Sequence, residues 1–175
     1  MLVANLVDAY RILSNRTRLE YISSRSLVPD RLASATSPGH FRGDTLILDP
    51  SSSLPKFLVT TTRGSSPEVR GWLSIFALNE RGDFAQDKIE ERFETPTSGG
   101  KANAVDLLSK QDGDGVWIVL TDDDDAVFAE DGPGNGAVRV LEFNGLGTGG
   151  VKEVAEWPKD HEEDIKGASH AIWLD

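Results

Sequence analysis

The sequence predicts an all-β fold, built as part of a β-propeller, and three observations support this. A short apolar motif occurs three times, in Gly43–Leu48, Ala102–Leu107 and Ser169–Leu174. The copies lie roughly 60 residues apart, slightly more than the repeat of kelch or WD blades. Short apolar strands, separated by turns rich in glycine and aspartate, fill the intervals. No segment favours a helix, and Asp160–Lys166 is at most one turn of an acidic loop.

Two complete four-stranded units follow one another in the middle of the chain. The strands of the first are predicted at Thr45–Leu48, Lys56–Thr61, Trp72–Leu78 and near Lys88–Glu94. The second repeats this order at Ala104–Leu107, Val116–Leu120, Ala137–Phe143 and Val151–Glu156. The alternation of residues 138–143 indicates a strand with one buried face. Each unit ends at a proline, Pro96 or Pro158, where an edge strand stops and a crossing loop begins.

Part-blades are predicted at both ends of the chain. Leu2–Leu6, Ala9–Leu13 and Leu19–Ser23 read as the last three strands of an earlier blade, and Ala171–Leu174 as the inner strand of a further one. The predicted organisation is a single partial propeller domain over 1–175, divided into 1–29, 40–96, 97–158 and 167–175. An all-β sandwich with similarly spaced strands is the alternative.

Composition excludes several function classes. The net charge of −11 argues against nucleic acid and disfavours anionic membranes. We find neither a signal peptide nor an apolar stretch long enough to span a bilayer, and the chain has no cysteine, so we expect a cytoplasmic protein. Three histidines make a multi-histidine metal site unexpected. Asp122–Asp125 lacks the ligand spacing of a calcium loop and reads as a solvated loop, so neither a metal nor a cofactor is expected.

Several motifs resemble one family of enzymes. They are the run Thr97–Val105, then Thr121-Asp122-Asp123, then Ala171–Asp175. Together they resemble the C-terminal part of the propeller-type 3-carboxy-cis,cis-muconate cyclases, and the similarity continues through Phe41–Asp44 and Thr61–Gly64. The resemblance implies a seven-bladed lactonase-type propeller. It also implies a cofactor-free isomerase, which lactonises an anionic dienoic acid by adding a carboxylate to a double bond of the same molecule.

The resemblance carries over one catalytic residue, Arg63. The family has a histidine where this chain has Lys101, and an asparagine where it has His170. Leu6 lies closest to the position of an acidic residue of the family, and two further family residues, a histidine and an arginine, fall before Met1. The resemblance therefore implies an incomplete active site in this chain alone.

Blade topology places the candidate site on one rim, because the loops that enter each blade and those after its second strand share a face. Arg63 can clamp a carboxylate with two parallel hydrogen bonds. Arg42, Lys101 and Asn103 are candidate substrate-binding residues beside it. His170 is the candidate general acid, because its unperturbed pKa lies near neutrality. Solvated loop charges and a structural histidine are the competing interpretations.

Three functions remain open from the sequence. The first is lactonisation of a small anionic carboxylate, as in the carboxymuconate cyclases. The second is a non-catalytic propeller fragment that acts in binding or assembly, and the third is a sugar-lactone hydrolase similar to 6-phosphogluconolactonase. Because a three-bladed ring would be too tightly curved, we also expect open blade edges and self-association through them.

Overall fold

The computed structural model describes residues 5–14, 17–35, 40–50, 53–85, 90–100, 102–111, 113, 115–123, 136–158 and 168–174. The fold is nearly all β, as predicted. Within these residues the secondary structure consists of β1 (Leu6–Ile12), β2 (Leu19–Ser26), α1 (Asp30–Ala35), β3 (Phe41–Leu48), β4 (Phe57–Gly64), β5 (Trp72–Ala77), β6 (Glu91–Glu94), β7 (Val105–Ser109), β8 (Val116–Asp122), β9 (Ala137–Phe143) and β10 (Val151–Trp157).

Two four-stranded antiparallel sheets form the body of the protein. The first has the order β3-β4-β5-β6 and the second the order β7-β8-β9-β10, so every strand pairs with its sequence neighbour. This meander is compatible with two blades of a partial propeller. β9 has the predicted bounds, whereas β3 begins earlier than predicted because Phe41, Arg42 and Gly43 also pair with β4.

The main core lies between the two sheets. Phe57 of the first sheet meets Phe143 of the second edge to face, with ring centroids 5.3 Å apart. Around them pack buried aliphatic residues of both sheets: Val59, Leu73, Ile75, Val105, Leu107, Val116, Ile118, Leu120 and Leu141. Removing these side chains from water is the main stabilising contribution between the blades.

The β1–β2 hairpin packs against the opposite face of the first sheet. Val7 and Leu27 contact Leu58, Phe76 and Phe84 there. The first sheet is therefore covered on both faces, which is why every residue of β5 is buried. The second sheet has a sheet neighbour on one face only among the described residues.

The N-terminal part differs from the prediction in two ways. Instead of separate strands over 2–6 and 9–13, the described residues form one strand, β1, with a bulge between Ala9 and Tyr10. The predicted gap between these strands, at Val7 and Asp8, is part of β1, because both residues pair with β2 and the Ser24 hydroxyl donates a hydrogen bond to the Asp8 carboxylate. The prediction of no helix was also wrong, since α1 covers six residues. So short a helix gives no periodic signal in the sequence.

The terminal inner strand predicted over 171–174 is not a strand in the structure. Its backbone runs beside β7, but the Trp173 amide donates to the Asp106 side chain at 2.9 Å instead of to a backbone carbonyl. A ladder needs hydrogen bonds between two backbones, and none of the described residues makes one to this segment. In the described part of the chain, no helix has the length and apolar character needed to cross a membrane.

Candidate functional site

Two arginines face each other on the predicted rim. Arg42 of β3 and Arg63 of β4 are direct register partners, so their side chains leave the sheet on the same face. Arg42 is exposed and Arg63 is half-buried. Arg42 forms no ion pair with any residue that the structure describes. The register therefore places two positive charges on one face of the sheet, next to each other.

The loop over 95–100 forms the floor beside Arg63. Arg63 Nη1 donates to the Gly100 carbonyl oxygen over 3.4 Å. Backbone hydrogen bonds fix the loop, from Gly64 N to Ser98 O at 2.8 Å and from Gly71 N to Thr97 O at 3.0 Å. Gly99 and Gly100 turn the chain with φ angles of 82° and 54°. The Thr-Ser-Gly-Gly motif seen in the sequence is therefore a rigid turn that supports Arg63.

A buried ion pair holds this loop from the other side. Thr97 Oγ1 donates to Asp122 Oδ2 at 2.5 Å, and Arg139 Nη1 donates to the same oxygen at 2.8 Å. Asp122 and Arg139 are both nearly inaccessible to solvent. Glu156 also accepts a hydrogen bond from Arg139 Nη2, at 2.7 Å. The loop thus has a charge-assisted anchor inside the second sheet.

The structure corrects the interpretation of the aspartate run as a solvated loop. Asp122 is 1% exposed, and Asp123 forms an isolated bridge with Gly100; Asp124 and Asp125 lie outside the described residues. The alternation of β9 was correctly predicted, but its buried face includes Arg139 beside Leu141. In the sequence, Arg139 occupies one of the alternating positions that β9 buries. A buried arginine needs a carboxylate partner, so this position indicated that a buried acidic residue lies nearby.

Asn103 lies beneath the rim surface. It is 1% exposed, its side-chain nitrogen donates to Thr62 O at 2.9 Å, and its backbone amide donates to the Asp44 carboxylate. Its carbonyl oxygen accepts from Thr61 Oγ1 at 2.5 Å. Asn103 therefore joins the entry of the second blade to β3 and β4, next to Arg63.

The described contacts do not place the remaining predicted site residues, His170 and Lys101, beside the two arginines. His170 is exposed, and its described side-chain contact is Nδ1 to Ser169 Oγ at 3.2 Å. The Ser169 carbonyl accepts from Thr121 Oγ1 at 3.2 Å, which sets His170 beside the second blade. No described contact joins His170 to either arginine. Lys101 lies outside the described residues.

His40 is a rim residue that the sequence analysis did not select. Its carbonyl oxygen accepts from Ser65 N at 2.9 Å, which extends the β3–β4 pairing one step beyond Phe41 and Gly64. Residues two apart on a strand share a face, so His40 lies on the face of Arg42. His40 was missed because the sequence predicted this strand to begin only at Thr45.

A cleft lies at the opposite edge of the sheets. It has a volume of about 740 Å³ and is lined by three turns that include Leu54, Leu78 and Leu146. These turns precede β4 or follow β5 and β9, whereas Arg63 is near the end of β4. This cleft is therefore separate from the rim.

Comparison with known proteins gives one distant similarity. Over 120 residues the chain is 29% identical to muconate cycloisomerase 1 of Cutaneotrichosporon cutaneum. The aligned region is 68% of this chain and 30% of that protein, so the chain spans less than a third of the relative that it matches. No protein-family model matches the chain, and no solved structure matches it significantly.

Proposed function

We propose that the rim around Arg42 and Arg63 binds a carboxylate group of a small anionic substrate. The main support for this proposal is that the two arginines are register partners, so both guanidinium groups lie on one face of the sheet. Among the described residues, no carboxylate pairs with Arg42. Guanidinium groups bind carboxylates through paired N–H donors.

The reaction that we propose is lactonisation of a muconate-type dienoic acid, with the 3-carboxy compound as the substrate that the motif resemblance favours. One carboxylate oxygen forms a bond to an alkene carbon, and a proton adds to the neighbouring carbon. The product is an isomer of the protonated substrate, so no oxidant or reductant is needed. The arginines contribute by bending the polycarboxylate anion into the reactive geometry and screening its charge.

A histidine of the rim supplies the proton in this proposal. His170 is the candidate from the sequence, and His40 is a second one, because it shares the strand face of Arg42. Imidazole groups titrate near neutral pH and suit general acid catalysis. Asn103 positions β4 through its hydrogen bond to Thr62 and contributes indirectly.

Carboxylate binding without turnover is the second candidate function. The observation that favours it is that the described contacts of His170 do not connect it with Arg63. A site with arginines but no placed acid would bind the dianion and leave it unchanged.

Titration of the protein with cis,cis-muconate and its 3-carboxy derivative, followed by calorimetry, tests the proposal. We expect binding that Arg42→Gln and Arg63→Gln each weaken at least tenfold. Arg81→Gln is the matched control, because Arg81 is exposed in the turn after β5, at the opposite edge of the sheet. Absence of binding, or an equal loss in the control, would contradict the site. Loss of diene absorbance in the ultraviolet then separates turnover from binding alone.

A further inference from the structure

Two tyrosines form an exposed corner on the outer face of the β1–β2 hairpin, the face that points away from the first sheet. Tyr10 of β1 and Tyr21 of β2 are register partners and are 51% and 56% exposed. Their rings meet edge to face, with centroids 5.8 Å apart and planes inclined at 72°. Because the face of an aromatic ring carries partial negative charge, the two rings offer two nearly perpendicular walls that attract a cation.

A carboxylate lies at the hydroxyl end of this corner. Asp8 Oδ2 is 3.5 Å from the Tyr10 hydroxyl, and Asp8 Oδ1 accepts a hydrogen bond from the Ser24 hydroxyl. The Tyr21 hydroxyl is 2.9 Å from Ser24 Oγ, so both rings are connected to the same carboxylate. Within the described residues, Asp8 forms no ion pair with a lysine or an arginine. Its negative charge is therefore available to a ligand.

A β-bulge brings these groups together. Residues three apart in a regular strand, such as Tyr21 and Ser24, point to opposite faces. Here the register skips Ile22, which is an extra residue in β2. The bulge turns Ser24 to the face of Tyr21, where it connects the tyrosine hydroxyl to Asp8. Bulges often re-aim side chains next to functional sites, and this one builds the polar end of the corner.

Apolar side chains continue the same face at the other end. Ile12 and Leu19 are register partners, each two residues along its strand from a tyrosine, and they are 67% and 66% exposed. Residues two apart on a strand share a face, so this pair lies beside the rings. The corner therefore combines one negative charge, two aromatic ring faces and an aliphatic surface.

Elsewhere the protein pairs aromatic rings with its own cations. In the described part of the chain, three rings have a cation over one face, at these distances from the ring centroid: Arg25 over Phe84 at 5.3 Å, Arg92 over Phe76 at 4.7 Å and Lys110 over Trp117 at 4.3 Å. Among the same residues, neither Tyr10 nor Tyr21 has such a partner. The tyrosine corner thus has the groups that receive a cation, and the protein itself does not supply one there.

We propose that this corner binds an organic cation with an alkylated ammonium group. The ammonium group lies against the faces of Tyr10 and Tyr21 with Asp8 as its counter-ion, and its alkyl groups extend toward Ile12 and Leu19. An alkylated ammonium fits better than a bare one, because its alkyl groups pack against the rings and the aliphatic surface. The net charge of −11 favours the approach of cations. The inference is independent of the proposed function, since it uses no residue of the arginine rim.

NMR titration with choline tests the proposal. The matched control ligand is the neutral alcohol in which a carbon atom replaces the choline nitrogen. The chain contains only two tyrosines, so isotopic labelling of tyrosine ring carbons restricts the signals to this site. We expect choline to shift the signals of both rings saturably, with a dissociation constant at least about fivefold below that of the neutral alcohol. No shift with choline, or equal affinity for the two ligands, would overturn the proposal.

Substitutions separate the ring faces from the hydroxyl and from the charge. With the Tyr10 signals as the readout, Tyr21→Leu should weaken choline binding at least about fivefold, whereas Tyr21→Phe keeps the ring and should weaken it less than about twofold. Asp8→Asn keeps the shape of the side chain and should weaken binding about threefold. Circular dichroism and a thermal melt establish that each variant is folded.

Trp157→Leu is the matched control variant, because it removes an aromatic residue that is 53% exposed in β10 of the second sheet. It should leave choline binding unchanged. An equal loss in this control, or an equal loss in Tyr21→Leu and Tyr21→Phe, would overturn the assignment of the site to the tyrosine rings.

Discussion

Arg139 and Asp122 form an ion pair inside the second sheet, with Nη1 and Oδ2 2.8 Å apart and both side chains at most 5% exposed. The pair connects two neighbouring strands and continues to Thr97, whose loop supports Arg63. Structural stability and the geometry of the rim are thus coupled through a single carboxylate.

Replacing Asp122 by asparagine should destabilise the protein. The change removes the buried carboxylate partner of Arg139 and leaves it the more exposed Glu153 and Glu156, so we expect a cost of about 3 kcal/mol, the lower end of the range for breaking a buried pair. Denaturant unfolding measures the difference. Glu94→Gln is the control, because it breaks an exposed ion pair with Arg70 at 3.7 Å, which should cost less than about 1 kcal/mol. Equal losses in the free energy of unfolding would show that the buried pair contributes no more to stability than the exposed pair.

Gly64→Ala should prevent β4 from joining the 65–69 turn. A Cβ atom at Gly64 would lie 1.6 Å from the Val69 carbonyl oxygen, so backbone has to move. We expect a loss of about 3 kcal/mol, at the upper end of overpacking costs. Gly113→Ala, with nothing within 4 Å of its Cβ position, is the matched control. Thermal melts compare the two, and an unchanged melting temperature for Gly64→Ala would contradict the packing.

Asn103→Ala should lower stability whether or not a substrate is present. The substitution leaves the buried Thr62 carbonyl without the side-chain donor that reaches it at 2.9 Å, which costs about 1–3 kcal/mol. Asn103→Asp should be no better, because it places an acceptor against that carbonyl. Unfolding of both variants by denaturant is the measurement. Full stability combined with weakened muconate binding would instead identify Asn103 as a direct ligand.

The Lys110–Glu142 pair should make stability depend on acid pH. The hydrogen bond from Lys110, 2.5 Å from the carboxylate, lowers the pKa of Glu142 below its ordinary value of 4.5. Stability from a lowered carboxyl pKa is present above the unfolded pKa and is lost as pH falls through the folded one. Melts of the wild type and Glu142→Gln should therefore converge on acidification from neutral pH. A difference that is constant with pH would contradict this assignment.

The order of strands was predictable because β-sheet periodicity is a local property. β9 was predicted with its observed bounds, since its alternation extends over the whole strand. The extension of β3 to Phe41 was missed, because Gly43 and Asp44 favour turns in isolation and the pairing with β4 overrides them. The strand predicted over 171–174 was wrong for the opposite reason. There the local apolar pattern favours a strand, but a strand forms only where it pairs with a second backbone.

The candidate site was only partly predictable. Arg42 and Arg63 could be selected from the sequence, but their direct opposition depends on register, which turn composition does not fix here. Asp122 was predicted to be solvated because runs of charged residues usually lie in solvent. Its burial depends on Arg139, which lies in a different strand. Sequence proximity does not reveal such pairs.

The threonine hydroxyls at the ends of the second strands have a consequence for how such a chain can change over evolutionary time. Thr61 binds the Asn103 carbonyl, and Thr121, one blade later, binds the Ser169 carbonyl. Each blade thus carries the threonine that hydrogen-bonds to the segment that follows it. A gene duplication that copies one whole blade would copy this attachment as well, so a blade could be added without a new kind of junction.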